Sequence, residues 1–184
     1  MIQQGEELRS RRETVLKVIY LLFNESYASS NTDTLFKRDL CGEAMRLGEL
    51  ISDHSIASHA DAKALVGFMC LLAARFDSRF STTGPMVLFE IQDRSKWNKD
   101  ILYIGNKYMF DAVKTEAYSK YHYEAAIQTA YMKADVFENT NWDKILNWYA
   151  QLSKIDSSPI IKLNMGIVYI YKGDLDKADS ILTR

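Results

Sequence analysis

The chain of 184 residues is 47% hydrophobic and 26% charged with a formal net charge of −1, the make-up of a globular protein with material for one domain or a short helical array. Lacking a basic excess, it has no surplus charge to neutralise phosphates, which excludes direct nucleic-acid binding by this stretch. No run of ~18 apolar residues and no basic-then-apolar leader occur, so the expectation is a cytoplasmic protein without membrane contact.

With only two prolines and eight glycines, long uninterrupted elements are expected. Leu8, Val15, Leu16, Val18, Ile19, Leu22 and Phe23 fall at helical spacing over residues 6–24, with charges confined to the first half. Asn24-Glu25-Ser26-Tyr27 and the polar run to Asp33 read as a loop. Asp33 or Thr34 then caps a second helix with the stripe Leu35, Phe36, Leu40, Ala44, Leu47, Leu50 and Ile51. A third helix is predicted from Ser58 to Phe80; its centre, Ala64 to Ala74, is apolar nearly all round, the mark of a buried helix.

Ser81-Thr82-Thr83-Gly84-Pro85 is the strongest breaker in the chain. Met86 to Phe89 reads as a short extended run with no strand partner. Asp93 or Ser95 caps a fourth helix from Lys96 to Lys114. A fifth covers Lys120 to Phe137, Glu138-Asn139-Thr140-Asn141 is a turn, and a sixth covers Trp142 to Ile155. Pro159 sits in the first turn of a seventh helix, where its missing N–H costs nothing. Gly173 ends that helix and Asp174 starts a short eighth.

Gly166, Tyr169, Gly173 and Ala178 match the small-residue, aromatic, turn-glycine and alanine positions of a tetratricopeptide repeat, and the preceding helix pair is a degenerate version of the same unit. The predicted fold is therefore all-α: about eight helices in an antiparallel, repeat-like array, forming one domain over 1–184. A non-repetitive helical half spans 1–118 and tetratricopeptide-like helix pairs span 119–184.

Residues that carry chemistry are sparse. His54 and His59 are too far apart in sequence for the i, i+4 pairing of helical metal ligands, and His122 is remote from both. Cys41 and Cys70 are isolated within apolar helical patterns and read as buried free thiols. There is no glycine-rich phosphate loop and no Gly-x-Ser-x-Gly turn for a nucleophile. Neither catalytic residues, a metal site nor a cofactor is expected, so the chain reads as a binding domain rather than an enzyme.

Several polar clusters are oddly placed for a plain helical core. Val15-Leu16 and Ile19-Tyr20-Leu21-Leu22 lead into Phe23-Asn24-Glu25-Ser26-Tyr27. Arg38-Asp39-Leu40-Cys41, Glu43-Ala44 and Arg46-Leu47 follow, then Ala73-Ala74-Arg75, then Gln92-Asp93-Arg94-Ser95 and Trp97. Taken in that order, they resemble the C-terminal extension of a group of bacterial extracytoplasmic-function sigma factors. In that group a helical, tetratricopeptide-like domain follows the promoter-binding regions. Ser158-Pro159 with Leu163-Asn164 fits the same pattern near the C-terminus. The chain departs from it at Ser26, usually Gly, at Asn98, usually Asp, and at Ser81-Thr82-Thr83-Gly84, which replaces a glycine-rich acidic turn. Promoter-recognition regions would lie before residue 1, and Met1 reads equally as a natural start or a cut.

The resemblance implies a regulatory or activity-supporting extension that contacts the sigma factor's own promoter-binding regions or core RNA polymerase. The candidate site is a polar network joining Asn24 and Glu25 to Arg38, Arg75, Asp93 and Arg94. Asp39 and Gln92 belong to the same clusters, and Tyr27 and Trp97 form an aromatic floor. Two readings stand: these side chains line a partner-binding groove, or they cap helices and pin loops. The alternative function is a stand-alone adaptor that binds peptides in a helical groove.

Overall fold

A helix that is apolar on every side has to be surrounded, and α3 (Ala60–Ala73) is. In the computed structural model, which describes residues 2–28, 34–54, 59–79, 86–115 and 117–183, ten of its residues are buried. Side chains are described from residue 6 in α1 (Ile2–Ala28) and from residue 37 in α2 (Thr34–Asp53). Cap Asp33, side chains Leu35 and Phe36, and the breaker Ser81–Pro85 lie outside the described residues. All the described elements are helical.

The chain divides into two units, Met1–Glu116 and Ala117–Arg184. In the first, α1, α2 and α5 (Lys99–Ala112) each pack against α3. The closest approach is at a pair of glycines. A Cβ on Gly67 would stand 2.8 Å from Met109 and 3.2 Å from the Gly105 carbonyl; one on Gly105 would stand 2.8 Å from the Cβ of Cys70. The two backbones therefore meet where any side chain would hold them apart.

Three sequence expectations for this unit are corrected. The loop expected at Asn24–Tyr27 is the last turn of α1. Phe23 and Tyr27, four apart, stack at 5.6 Å, and the Ser26 hydroxyl donates locally to the Leu22 and Phe23 carbonyls at 2.9 and 2.8 Å. The polar residues thus satisfy themselves within the helix rather than breaking it. The third helix stops at Ala73 and resumes as α4 (Phe76–Arg79). At the break, the Ala74 carbonyl accepts from the Asn98 N–H at 2.8 Å. The fourth predicted helix, now α5, begins at Lys99 because Asn98 is its cap, accepting from Asp100 and Ile101 N–H. Asp93 caps only a short 3₁₀ turn, Arg94–Lys96. Met86–Leu88 is non-helical and runs into another 3₁₀ turn, Phe89–Ile91.

The second unit is a series of neighbouring antiparallel helices: α6 (Lys120–Lys133), α7 (Trp142–Leu152), α8 (Pro159–Lys172) and α9 (Leu175–Leu182). Ile127, Ile145, Leu152, Ile161 and Val168 form its core. α6 and α7 are shorter than predicted. Phe137 belongs to a separate 3₁₀ turn, and Ser153–Ile155 is a turn after α7. Asn141 and Asp174 cap α7 and α9, and Pro159 occupies the first turn of α8. Gly173 closes α8 at φ 83°, a conformation open to glycine at little cost. Gly166 lets α9 approach, since a Cβ there would meet Leu182 at 2.8 Å. These are the small-residue and turn-glycine roles that the tetratricopeptide spacing assigned to them.

Candidate functional site

The break after α3 turns a string of alternating arginines and aromatics in on itself. Phe76, on α4, receives the Arg38 guanidinium from α2 at 4.8 Å and packs edge-on against Tyr27 of α1. Arg79 lies over the other partner, Tyr27, at 4.4 Å. One turn away, Arg75 lies 4.8 Å over Phe89, and Arg94 reaches both Phe89 and Trp97, 5.3 and 4.7 Å from their centroids. Phe89 and Trp97 stack at 6.3 Å. Four guanidiniums and four rings from α1, α2, α4, the preceding turn and the following 3₁₀ turns thus form one cluster.

Hydrogen bonds fix its inner side. The Ser78 hydroxyl donates to the Arg75 carbonyl at 2.8 Å and accepts from Trp97 Nε1 at 3.1 Å. Gln92 reaches the same hydroxyl at 3.4 Å through Oε1 and donates through Nε2 to the Val87 carbonyl at 3.0 Å. Val87 N–H in turn donates to the Arg79 carbonyl at 2.8 Å. Arg75, Gln92, Trp97 and Tyr27 are buried, whereas Arg38 is exposed and ion-paired with Asp77. Burial draws the Arg79 guanidinium below its ordinary value; Tyr27 opposes that shift and Arg75 adds to it.

Magnitudes separate the two kinds of contact. A guanidinium over a ring contributes ~0.5–1 kcal/mol at the surface and ~2 when desolvated. An exposed ion pair such as Arg38–Asp77 contributes ~0–1 kcal/mol. The stacked inner arginines are therefore pinned. Arg38 can exchange Asp77 for another anion at small cost.

The structure brings together Tyr27, Arg38, Arg75, Gln92, Arg94 and Trp97 of the sequence-predicted residues. It does not bring in the carboxylates. Asp93 Oδ1 accepts from Ser95 N–H and Oγ–H at 3.0 and 2.6 Å, bonds that hold its carboxyl below the usual range. Glu25 and Asp39 are exposed and Asn24 is half-buried; among the described residues no hydrogen bond or ion pair ties them to the cluster. Sequence reasoning missed Phe76, Asp77, Ser78, Arg79 and Phe89. The signal that could have found part of it was the pair Arg75 and Arg79, four apart on one helix face and flanking Phe76.

Other reactive groups lie elsewhere. Cys41 and Cys70 are buried free thiols; burial pushes both up, Cys70 to about 12. The Ser26 hydroxyl sits 3.2 Å from Cys41 Sγ and partly offsets its shift. His59 Nδ1 is 2.9 Å from Asp61, and His122 Nδ1 accepts from the Ser119 N–H at 3.1 Å, closing the first turn of α6. Among the described residues no three His, Cys, Asp or Glu side chains converge as a metal-ligand set, and no helix is long and apolar enough to cross a membrane.

Residues 11–113 match a family of unknown function, DUF6596. The chain is also similar to an uncharacterized protein of Rhizobium meliloti (strain 1021), 30% identical over 157 residues. That match takes in 85% of this chain but 37% of the relative, so the chain spans little more than a third of the curated protein it matches. No solved structure matches.

Proposed function

Since this chain belongs to the DUF6596 family, whose function is unknown, its role is read from its residues, and we propose that it is a protein-interaction extension of an extracytoplasmic-function sigma factor. In this reading it modulates transcription initiation by contacting the sigma factor's own promoter-binding regions or core RNA polymerase. The observation that carries the reading is the convergence of six motif residues, Tyr27, Arg38, Arg75, Gln92, Arg94 and Trp97, on one cluster. They are among the residues on which the resemblance rests, and all lie inside the stretch matched by the family. The greater length of the Rhizobium relative leaves room for further domains in such a protein.

The inner arginines hold the cluster, while Arg38 presents an anion-exchangeable edge to a partner. The test is run-off transcription by core RNA polymerase with the native full-length protein carrying Arg38→Ala. The expected result is a transcript yield lowered about tenfold or more, the loss of one charged contact of ~1.4 kcal/mol or more, with an unchanged melting temperature. Unchanged transcription by Arg38→Ala and by a protein cut back before this domain would overturn the reading.

A second reading, a stand-alone peptide-binding adaptor, is favoured by one observation. Ile160, Leu163, Ile167 and Ile170 of α8 are all exposed and follow one another at helical spacing, an apolar stripe with no helix packed on it among the described residues. A native gene with no promoter-binding regions before residue 1 would leave this reading standing alone.

A further inference from the structure

Arg38 on α2 and Asp77 on α4 are 39 residues apart in the chain, and their side chains pair while 55% and 56% exposed. The two partners are held differently. The Arg38 guanidinium lies 4.8 Å from the centroid of the Phe76 ring, and that ring is buried and packs edge-on against Tyr27 at 6.4 Å. A planar cation stacked on a fixed ring keeps its place when its carboxylate leaves.

The backbone that carries Asp77 is fixed as well. Ser78 and Arg79 N–H donate to the Arg75 carbonyl at 3.0 and 2.9 Å, and the Arg79 carbonyl takes the Val87 N–H at 2.8 Å. The Asp77 side chain itself bonds only Arg38 among the described residues. It can turn away about its own side-chain bonds while α4 stays where it is.

We infer that Asp77 is an internal stand-in for an acidic side chain of the partner: it fills a carboxylate seat on the Arg38 guanidinium that the partner's carboxylate takes over on binding. Asp77 itself shows the kind of group the seat accepts, a planar carboxylate against a guanidinium already oriented by Phe76. The seat stands on the geometry of Arg38, Phe76 and Asp77; that its occupant comes from the promoter-binding regions or core RNA polymerase rests on the sigma-factor reading. Because the seat is taken, the partner meets only those molecules in which Asp77 has swung aside. An exposed ion pair of ordinary strength leaves the seat open in roughly a sixth to two-fifths of molecules, so removing the Asp77 charge tightens binding by about two- to sixfold.

The test follows the Arg38 Nε–H signal of the whole chain by NMR while sodium acetate replaces sodium chloride at constant ionic strength. Arg38→Ala identifies the signal by removing it. Asp77→Asn keeps the shape of the side chain without its charge, and Asp77→Ala leaves no acceptor at all. In both, half-saturation should come at about two- to sixfold less acetate than in the parent, with unchanged circular dichroism and melting temperature. Dimethyl phosphate, which carries the charge of a nucleic-acid backbone, should bind no more tightly than acetate. In run-off transcription with the native full-length protein, Asp77→Asn should raise the yield, opposite in sign to Arg38→Ala, and should change nothing in an Arg38→Ala background. Equal acetate midpoints in the parent and both Asp77 variants, tighter binding of dimethyl phosphate, or an Asp77→Asn gain that persists without Arg38 overturns the inference. Lowered midpoints with transcription indifferent to both residues would keep the seat and remove the sigma-factor reading. Equal midpoints with transcription lost in Arg38→Ala would do the reverse.

Discussion

Ser78 carries one hydroxyl and serves a carbonyl, an indole and an amide. Its single hydrogen goes to the Arg75 carbonyl at 2.8 Å, its lone pair takes Trp97 Nε1 at 3.1 Å, and Gln92 at 3.4 Å is at the margin. Ser78→Ala leaves the buried indole N–H without this acceptor. That should cost ~1–3 kcal/mol, read as a lowered urea midpoint. Ser95→Ala, on an exposed hydroxyl of the same segment, should stay within ~0.5 kcal/mol. Equal effects would mean that the bond to Trp97 contributes nothing. The sequence marked Trp97, Arg75, Gln92 and Arg94 through motif order, yet a serine at the centre of a polar knot has no signature in one dimension. The carboxylates were misplaced for a related reason: Asp93 finds Ser95 two residues on, and a local bond forms before a distant arginine can compete.

At the scale of elements, α3 was legible because an apolar surface all the way round has one solution, burial. Where it ends was not, because the Ala74 carbonyl is claimed by Asn98, a partner supplied from far along the chain. The start of α5 illustrates the same limit. Asp93, Ser95 and Asn98 are all competent caps, and only Asn98 has its side chain on the N–H groups of Asp100 and Ile101. Asn98→Asp should therefore be tolerated, matching the aspartate usual in the sigma-factor extensions that the sequence resembles. The crossing of α3 and α5 is more demanding. Gly105→Ala places a methyl 2.8 Å from Cys70 Cβ and 3.3 Å from the Gly67 carbonyl, backbone that cannot swing aside. Thermal melts should show a loss of ~1–3 kcal/mol, a value typical of overpacking, and a melting temperature equal to the parent's would show that the helices are free to separate.

Each unit of the whole molecule buries a group that the fold keeps neutral to a higher pH than the unfolded chain does. Burial raises the thiol of Cys70 to about 12 from 9.0 and raises the phenol of Tyr149 above its ordinary 10.0. For both, the folded state holds its proton longer than the unfolded one. Their contribution is complete below about pH 9 and is lost as the pH climbs toward the folded values. Urea midpoints should therefore fall between neutral pH and pH values above 10.0, with Tyr149→Phe losing less than the parent over the same interval. An identical slope in the variant would place the alkaline sensitivity elsewhere. The family match, residues 11–113, falls wholly within the first unit, so the helix pairs of the second unit lie outside what the family shares. Within that shared unit, the bonds from Val87 N–H to the Arg79 carbonyl and from Asn98 N–H to the Ala74 carbonyl act as two nested clasps. All four groups are backbone, so side-chain substitution at Ala74, Arg79 or Val87 leaves donors and acceptors in place, whereas proline at Val87 or Asn98 removes an N–H and opens a clasp, read as a lowered melting temperature.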